Sequence, residues 1–146
     1  MKRTRIIIVD DEPDARERLR ELAAQDATLD VVSECRNGQE AVLAIAKHKP
    51  DLVLLDVQMP QMNGFDVVRR IGASRMPPTI FVTAYDQYAL KAFEVSAVDY
   101  LLKPYDDTRF HASVAKAKKL VAMNTNDRLT GRLMDLVRGH LHEQNE

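Results

Sequence analysis

Ile6-Ile7-Ile8-Val9-Asp10-Asp11-Glu12-Pro13 is the stretch that decides the fold. Four consecutive apolar residues suit a strand buried on both faces, as in a parallel sheet covered by helices. Two acids follow the strand. Pro13 stands where a helix can start, with Glu12 and Asp14 where the helix dipole favours negative charge. Three later stretches share this form: Leu52-Val53-Leu54-Leu55 leads into Asp56, Ile80-Phe81-Val82 into Thr83, and Tyr100-Leu101-Leu102 into Lys103-Pro104. In an open parallel sheet the carboxyl ends of the strands lie along one edge, and ligands bind there. The pattern therefore predicts that Asp10, Asp11, Asp56, Thr83 and Lys103 converge. Carboxylates, a hydroxyl and an ammonium together suit a metal ion and a phosphoryl group.

The intervening segments supply the helices. Ala15, Leu19, Leu22 and Ala23 recur at helical spacing and predict a helix over about 13–25. A short strand over 29–34 follows, then the turn signal Asn37-Gly38, then a helix that ends near Lys49-Pro50. After the strand at 52–55 comes a loop from Gln58 to Gly64. The remaining elements are helices over about 65–72, 86–95 and 106–122, with strands at 79–83 and 98–102. Strand and helix thus alternate five times within about 120 residues. Such alternation predicts a parallel α/β sheet with helices on both faces and right-handed crossovers.

Residues 123–146 read differently. Asn124-Thr125-Asn126-Asp127 looks like a break and a helix N-cap. Leu129, Leu133, Leu136, Val137 and Leu141 then share one helical face. A linker helix, a short coiled-coil seam, the start of a second domain and a surface helix packed back on the domain all remain open.

The bulk numbers bound the function. At 146 residues and 45% hydrophobic content, one domain with a real core plus an extension is expected. Charges balance at 21 basic against 22 acidic, a net charge of −1, which argues against DNA binding by this chain itself. No apolar stretch approaches the roughly 20 residues that span a bilayer. The basic start, Met1-Lys2-Arg3-Thr4-Arg5, precedes too short an apolar segment for a signal peptide. The single cysteine, Cys35, excludes an internal disulfide and fits a reducing cytoplasm; it reads as a small core residue.

Magnesium takes near-octahedral oxygen ligands, often one or two carboxylates plus water and phosphate. Asp10, Asp11 and Asp56 could supply part of such a set, and crowded carboxylates repel unless a cation neutralises them. An aspartate can also attack phosphorus to give an aspartyl phosphate. Phosphoryl transfer needs mainly positioning and charge stabilisation, which Lys103 and the Thr83 hydroxyl could provide. Each residue alone has a plainer account: Asp10, Asp11 and Asp56 as caps, Thr83 as a strand residue, Lys103 as a solvated lysine. The joint pattern outweighs them because every member falls at the same end of its strand.

Val9-Asp10-Asp11-Glu12-Pro13, Asp56-Val57-Gln58-Met59-Pro60 with Asn63-Gly64, Thr83-Ala84, and Tyr100-Leu101-Leu102-Lys103-Pro104 together resemble the receiver domains of two-component response regulators. The match covers residues 5 to about 122, in order and spacing. Only Asp-x-x-Met-Pro-x-x-x-Gly is distinctive by itself. The resemblance implies a flavodoxin-like (βα)5 fold, doubly wound, with sheet order 2-1-3-4-5, the order that flavodoxin shares with a chemotaxis receiver. It implies a receiver domain over 1–122 and a helical linker or extension over 123–146.

By position, Asp56 would be phosphorylated by a sensor histidine kinase. Asp11, Asp56 and the Gln58 carbonyl would bind Mg²⁺ directly, and Asp10 through water. Lys103 would pair with the phosphoryl group, Thr83 and Tyr100 would form the switch, and the bond to Pro104 would be cis. Without the motif, Tyr100 reads rather as a half-buried aromatic at a strand end. The readout surface would be the fourth helix, last strand and fifth helix, through which a phosphorylated homodimer would form. Gln58 and Tyr85 would flank the path of attacking water and tune the phosphoryl lifetime. The chain would be a cytoplasmic phosphoacceptor switch that catalyses its own phosphorylation and dephosphorylation, rather than a turnover enzyme.

Thr83 to Glu94 and Val98 to Pro104 are further similar to receivers of the LytTR class, in which a β-rich DNA-binding domain follows. Residues 123–146 hold no such domain, so control of transcription and contact with DNA are expected only through an output domain outside this sequence. Other readings weigh less. A haloacid-dehalogenase-type phosphatase places Asp-x-Asp after its first strand, whereas Asp10-Asp11-Glu12 stands here. A nucleotide or flavin binder would show a glycine-rich phosphate loop, and none is present. A receiver-like module that is never phosphorylated would not need the complete acidic set.

Overall fold

Each apolar stretch divides its side chains between two faces, because successive residues of a strand point in opposite directions. In the computed structural model, which describes residues 2–86 and 97–123, those stretches become β1 (Thr4–Val9), β3 (Leu52–Asp56), β4 (Thr79–Thr83) and β5 (Asp99–Leu102). β2 (Leu29–Cys35) completes the sheet. The strand order is β2-β1-β3-β4-β5, and every neighbouring pair is parallel. The flavodoxin-like 2-1-3-4-5 arrangement is therefore observed.

Three helices, α1 (Pro13–Ala24), α2 (Gly38–His48) and α3 (Gly64–Ile71), alternate with the strands, and a C-terminal helix covers 107–123. On one face Ile6, Ile8, Leu54 and Ile80 pack against Leu19 and Leu22 of α1 and Phe110 and Val114 of the C-terminal helix. On the other, Ile7, Val9, Leu55 and Phe81 meet Ala41 and Ile45 of α2 and Phe65 and Val68 of α3. The adjacent residues Ile7 and Ile8 thus serve two different cores, which explains the lack of alternation in the sequence.

Local chemistry starts the helices. Pro13 occupies the first turn of α1. Asn37 caps α2 by accepting from the Glu40 N–H at 2.8 Å. At α3, Asn63 accepts from the Asp66 N–H at 2.8 Å and Asp66 accepts from the Asn63 N–H at 2.9 Å, a reciprocal capping box. The C-terminal helix is tied to the α1–β2 turn by Lys118 Nζ, which donates to Asp26 Oδ2 at 2.6 Å and Thr28 Oγ1 at 2.9 Å. The hydrogen bond from Lys118, with that from Thr28, holds the Asp26 carboxyl down to about 2.

The observed boundaries differ from the sequence reading in small ways. β3 includes Asp56, because its backbone still pairs with Val82 of β4. β2 extends to Cys35, and its register against β1 slips between Ile6 and Ile7. α3 starts at Gly64 and stops at Ile71, with Gly72 closing it at φ 100°, a conformation open to glycine. β5 begins at Asp99 rather than 98. Most of the helix expected over 86–95, and residues 124–146 with their apolar seam, lie outside the described residues. Among the described residues no helix is long and apolar enough to cross a membrane.

Phe110 is wholly buried and joins the C-terminal helix to the sheet. Phe110→Ala should lower the unfolding free energy by about 3–5 kcal/mol, read from urea denaturation followed by circular dichroism. A loss below about 1 kcal/mol would contradict this placement of the helix.

Candidate functional site

The strand ends deliver the expected side chains to one edge. Asp10 follows β1 and is 0% exposed, while Asp56 ends β3 and is 5% exposed. Oxygens of Asp10, Asp11 and Asp56 lie within 4.8 Å of one another. The Asp10 N–H donates to the Cys35 carbonyl at 3.1 Å, and Asp10 Oδ1 accepts from the Glu12 N–H at 3.0 Å. Arg16 clamps the same turn by donating to the Asp10 carbonyl at 2.7 Å. Asp11 stands at the rim of the cluster, open to solvent.

Lys103 Nζ donates to Asp10 Oδ2 at 2.7 Å. Its own backbone N–H donates to the Thr83 carbonyl at 2.7 Å, which sets the ammonium beside the cluster. The Lys103–Pro104 bond is cis, as the resemblance implies. In this state Lys103 pairs with Asp10, a partner that residue type and spacing do not announce.

Electrostatics explain why the arrangement is poised. Burial, and then the charge of Asp10, push the Asp56 carboxyl up to about 7; Lys103 and the Gln58 N–H pull the other way without overcoming them. Burial pulls the Lys103 ammonium down, but the hydrogen bond and charge of Asp10 outweigh it and raise the group above its ordinary value. Lys103 therefore leaves the cluster short of positive charge. An oxygen-only set of carboxylates in that condition fits a hard divalent cation.

The loop after β3 is held close by glycine. A Cβ on Gly64 would lie 2.6 Å from the Asp56 carbonyl oxygen, and the Gly64 N–H donates to the Val57 carbonyl at 2.9 Å. Gln58 is exposed on this loop, and its N–H donates to Asp56 Oδ1 at 3.2 Å. In the sequence Gly64 closes the distinctive motif that starts at Asp56; its steric reason lies in the approach of α3 to β3.

Thr83 is fully buried at the end of β4, and its Oγ1 accepts from the Tyr85 N–H at 3.4 Å. The half-buried Tyr100 donates its hydroxyl hydrogen to the Tyr85 carbonyl. The expected pair, Thr83 and Tyr100, is thus joined through the backbone of Tyr85. The sequence assigns Tyr85 only a place beside the water path, since a backbone link leaves no signature in residue type.

Known proteins agree with this geometry. A family model described as the response regulator receiver domain matches residues 6–115. An uncharacterized response regulatory protein of Yersinia pestis is 44% identical over 122 residues, covering 84% of this chain and 51% of that protein. The transcriptional regulatory protein BtsR of Escherichia coli K12 is 42% identical over 115 residues, covering 79% of this chain and 48% of that one. The chain thus spans about half the length of these relatives. Among solved structures, the receiver domain of AraT, a response regulator from Geobacillus stearothermophilus, superposes with a TM-score of 0.75 at 32% identity, covering 83% of this chain and 97% of that chain. The response regulatory domain of mrkE from Klebsiella pneumoniae gives 0.75 at 28% identity, covering 82% and 98%. The chain belongs to the response regulator receiver domain family.

The crowded cluster has a measurable consequence. The Asp56 carboxyl rises from an ordinary 3.8 to about 7 on folding, so its contribution to stability is greatest below its unfolded value and is lost as pH climbs through the folded one. In chelator, the stability advantage of Asp56→Asn over the wild type should therefore grow as pH rises from about 4 to about 7 and level off above it, and excess Mg²⁺ should shrink that gain. Urea midpoints across this interval test it; a gain independent of pH would contradict the crowding.

Proposed function

We propose that the chain is a phosphorylation-dependent signalling receiver in which Asp56 accepts a phosphoryl group from a sensor histidine kinase in a Mg²⁺-dependent reaction. The observation that carries this reading is the acid cluster of Asp10, Asp11 and Asp56 with Lys103 against it at 2.7 Å. Asp11, Asp56 and the Gln58 carbonyl would hold the ion directly, with Asp10 acting through water. The ion, when bound, supplies positive charge to the phosphoryl oxygens.

The residues of the chain do the rest. An Asp56 carboxylate oxygen attacks phosphorus, forming an O–P bond as the donor's P–N bond breaks. The leaving imidazole nitrogen keeps that bond's electron pair. Lys103 turns from Asp10 toward the phosphoryl oxygens, and the Thr83 hydroxyl donates to another. Water attack at phosphorus later restores the carboxylate and releases phosphate, a step tuned by Gln58 and Tyr85. The chain thereby assists its own phosphorylation and dephosphorylation.

Phosphorylation replaces one negative charge by roughly −1.5 to −2 and adds acceptor oxygens. Turning a 1:99 mixture of states into 99:1 requires about 5.5 kcal/mol. Two or three charge-assisted hydrogen bonds of about 1.5–3 kcal/mol each, from Lys103 and Thr83, reach that scale. When Thr83 Oγ1 leaves the Tyr85 N–H, the Tyr100 contact changes with it, and the signal passes to the surface around β5. The resemblance to LytTR-class receivers, and the name transcriptional regulatory protein carried by a relative, support a cytoplasmic regulator whose output is a DNA-binding domain outside this sequence. Homodimerisation through the fourth helix, β5 and the C-terminal helix would couple the two; most of that fourth helix lies outside the described residues.

Acetyl phosphate with Mg²⁺ should add one phosphoryl group per chain, seen by intact mass. Asp56→Asn should abolish the addition, and Lys103→Ala should slow it by at least about tenfold, equivalent to about 1.4 kcal/mol in the barrier. Full labelling of Asp56→Asn would remove the assignment. Beryllofluoride should likewise raise the molar mass seen by light scattering toward that of a dimer. Masses that stay the same over a wide concentration range would exclude the phosphorylated homodimer.

A further inference from the structure

Helix α1 carries Arg16, Arg18 and Arg20, and they do different things. Arg18 donates to Asp107 at 2.8 Å, and Arg20 donates to Glu34 at 3.0 Å. Arg16 is half-buried and joins no ion pair among the described residues. Its guanidinium reaches back to the Asp10 carbonyl, to which it donates at 2.7 Å. Side chains of a helix tilt toward its N-terminus, so residue 16 is well placed for this reach. A cation gains nothing there from the helix dipole, which favours negative charge near the N-terminus. The contact also stands where the usual brace is missing, because Glu12, at the N-cap of α1, makes no side-chain cap hydrogen bond.

A peptide plane links this contact to the acids. The Asp10 carbonyl and the Asp11 N–H belong to one planar group, so holding the carbonyl orients the chain as it enters Asp11. Asp10 has further restraints: its N–H donates to the Cys35 carbonyl at 3.1 Å, and its Oδ2 accepts from Lys103 at 2.7 Å. Asp11 stands at the rim, and among the described residues no side-chain hydrogen bond holds it.

We propose, building on the receiver role given to Asp56, that Arg16 is a positioning residue: through the Asp10–Asp11 peptide it holds the Asp11 carboxylate where that group binds Mg²⁺. A role through charge alone would act in the opposite direction. A guanidinium near a cation site repels the cation, so its removal should tighten Mg²⁺ binding. Removal of a brace should weaken it. Groups that hold a metal ligand without touching the metal commonly account for about 10–100-fold in affinity.

The test compares the full chain with Arg16→Met, which keeps an apolar stem, and Arg16→Lys, which restores a donor. Titration with MgCl2 at constant ionic strength, followed by the amide signals of Asp11 and Glu12, should show affinity at least about tenfold weaker in Arg16→Met. Arg16→Lys should recover most of that loss. In chelator, deuterium exchange at the Asp10 and Glu12 amides of Arg16→Met should accelerate at least about tenfold relative to the Val53 amide, which donates to the Pro78 carbonyl at 2.9 Å. Mg²⁺ affinity that is unchanged or tighter in Arg16→Met overturns the proposal. So does equal acceleration at Val53, the mark of a role in overall stability alone, and so does an Arg16→Lys chain that binds no better than Arg16→Met. Labelling of the wild type by acetyl phosphate is read separately: its failure removes the receiver role of Asp56, while the affinity and exchange measurements still judge the clamp.

Discussion

Repulsion among Asp10, Asp11 and Asp56, held together at the carboxyl edge of one sheet with Asp10 and Asp56 buried, is the constraint around which the molecule is arranged. A buried carboxylate is costly without partners, and each new one raises the cost of the next. Lys103 relieves part of this by pairing with Asp10 at 2.7 Å. The relief is unequal: Asp10 has the ammonium and a backbone N–H, while Asp56 has a backbone N–H at 3.2 Å and its carboxyl rises to about 7. A fold selected for stability alone would not keep three acids here. Local inconsistency of this kind, inside an otherwise consistent fold, is where function resides.

The rigidity that holds the acids in place comes from the sheet. Ile6 to Val9 are all fully buried, and the same is true of Leu52, Val53 and Leu55 in β3. A strand packed on both faces cannot shift by one residue without exchanging its two cores, so the register of Asp56 against Val82 is fixed. Gly64 adds a second restraint from above, because any side chain there would collide with the Asp56 carbonyl. Asp56, the proposed phosphoacceptor, therefore has a fixed position, whereas the ammonium of Lys103 sits on a flexible stem.

These two kinds of restraint explain what is legible in the sequence. Strand interiors announce themselves by unbroken apolar composition, and the residues that follow them must share an edge; Asp10, Asp56, Thr83 and Lys103 are legible for that reason. The sheet order and the cis bond at Pro104 come with the family resemblance rather than from composition. Partner choice is not legible. That Lys103 meets Asp10 in this state depends on a distance across elements 93 residues apart. The role of the Tyr85 backbone depends likewise on tertiary placement. Boundaries move by a residue where a ladder hydrogen bond continues past the apolar stretch, as at Asp56, or where glycine takes a positive φ, as at Gly72.

The same distinction bears on how a local change at the acids could travel. Arg109 of the C-terminal helix donates to both carboxylate oxygens of Asp99, at 2.9 and 3.1 Å, and to the Tyr100 carbonyl at 3.1 Å. Burial alone would raise the Asp99 carboxyl, but the Arg109 guanidinium, with the Tyr100 N–H, overcomes it and holds the group at about 2. The start of β5 is thereby pinned to the helix beside it. Rearrangement of the whole strand would have to break this bidentate pair; the Tyr100 hydroxyl donates to the Tyr85 carbonyl. The Thr83 and Tyr100 hydroxyls both contact the Tyr85 backbone. In the proposed receiver, the route from Asp56 to the surface would run through this backbone, beside a strand start braced by Arg109.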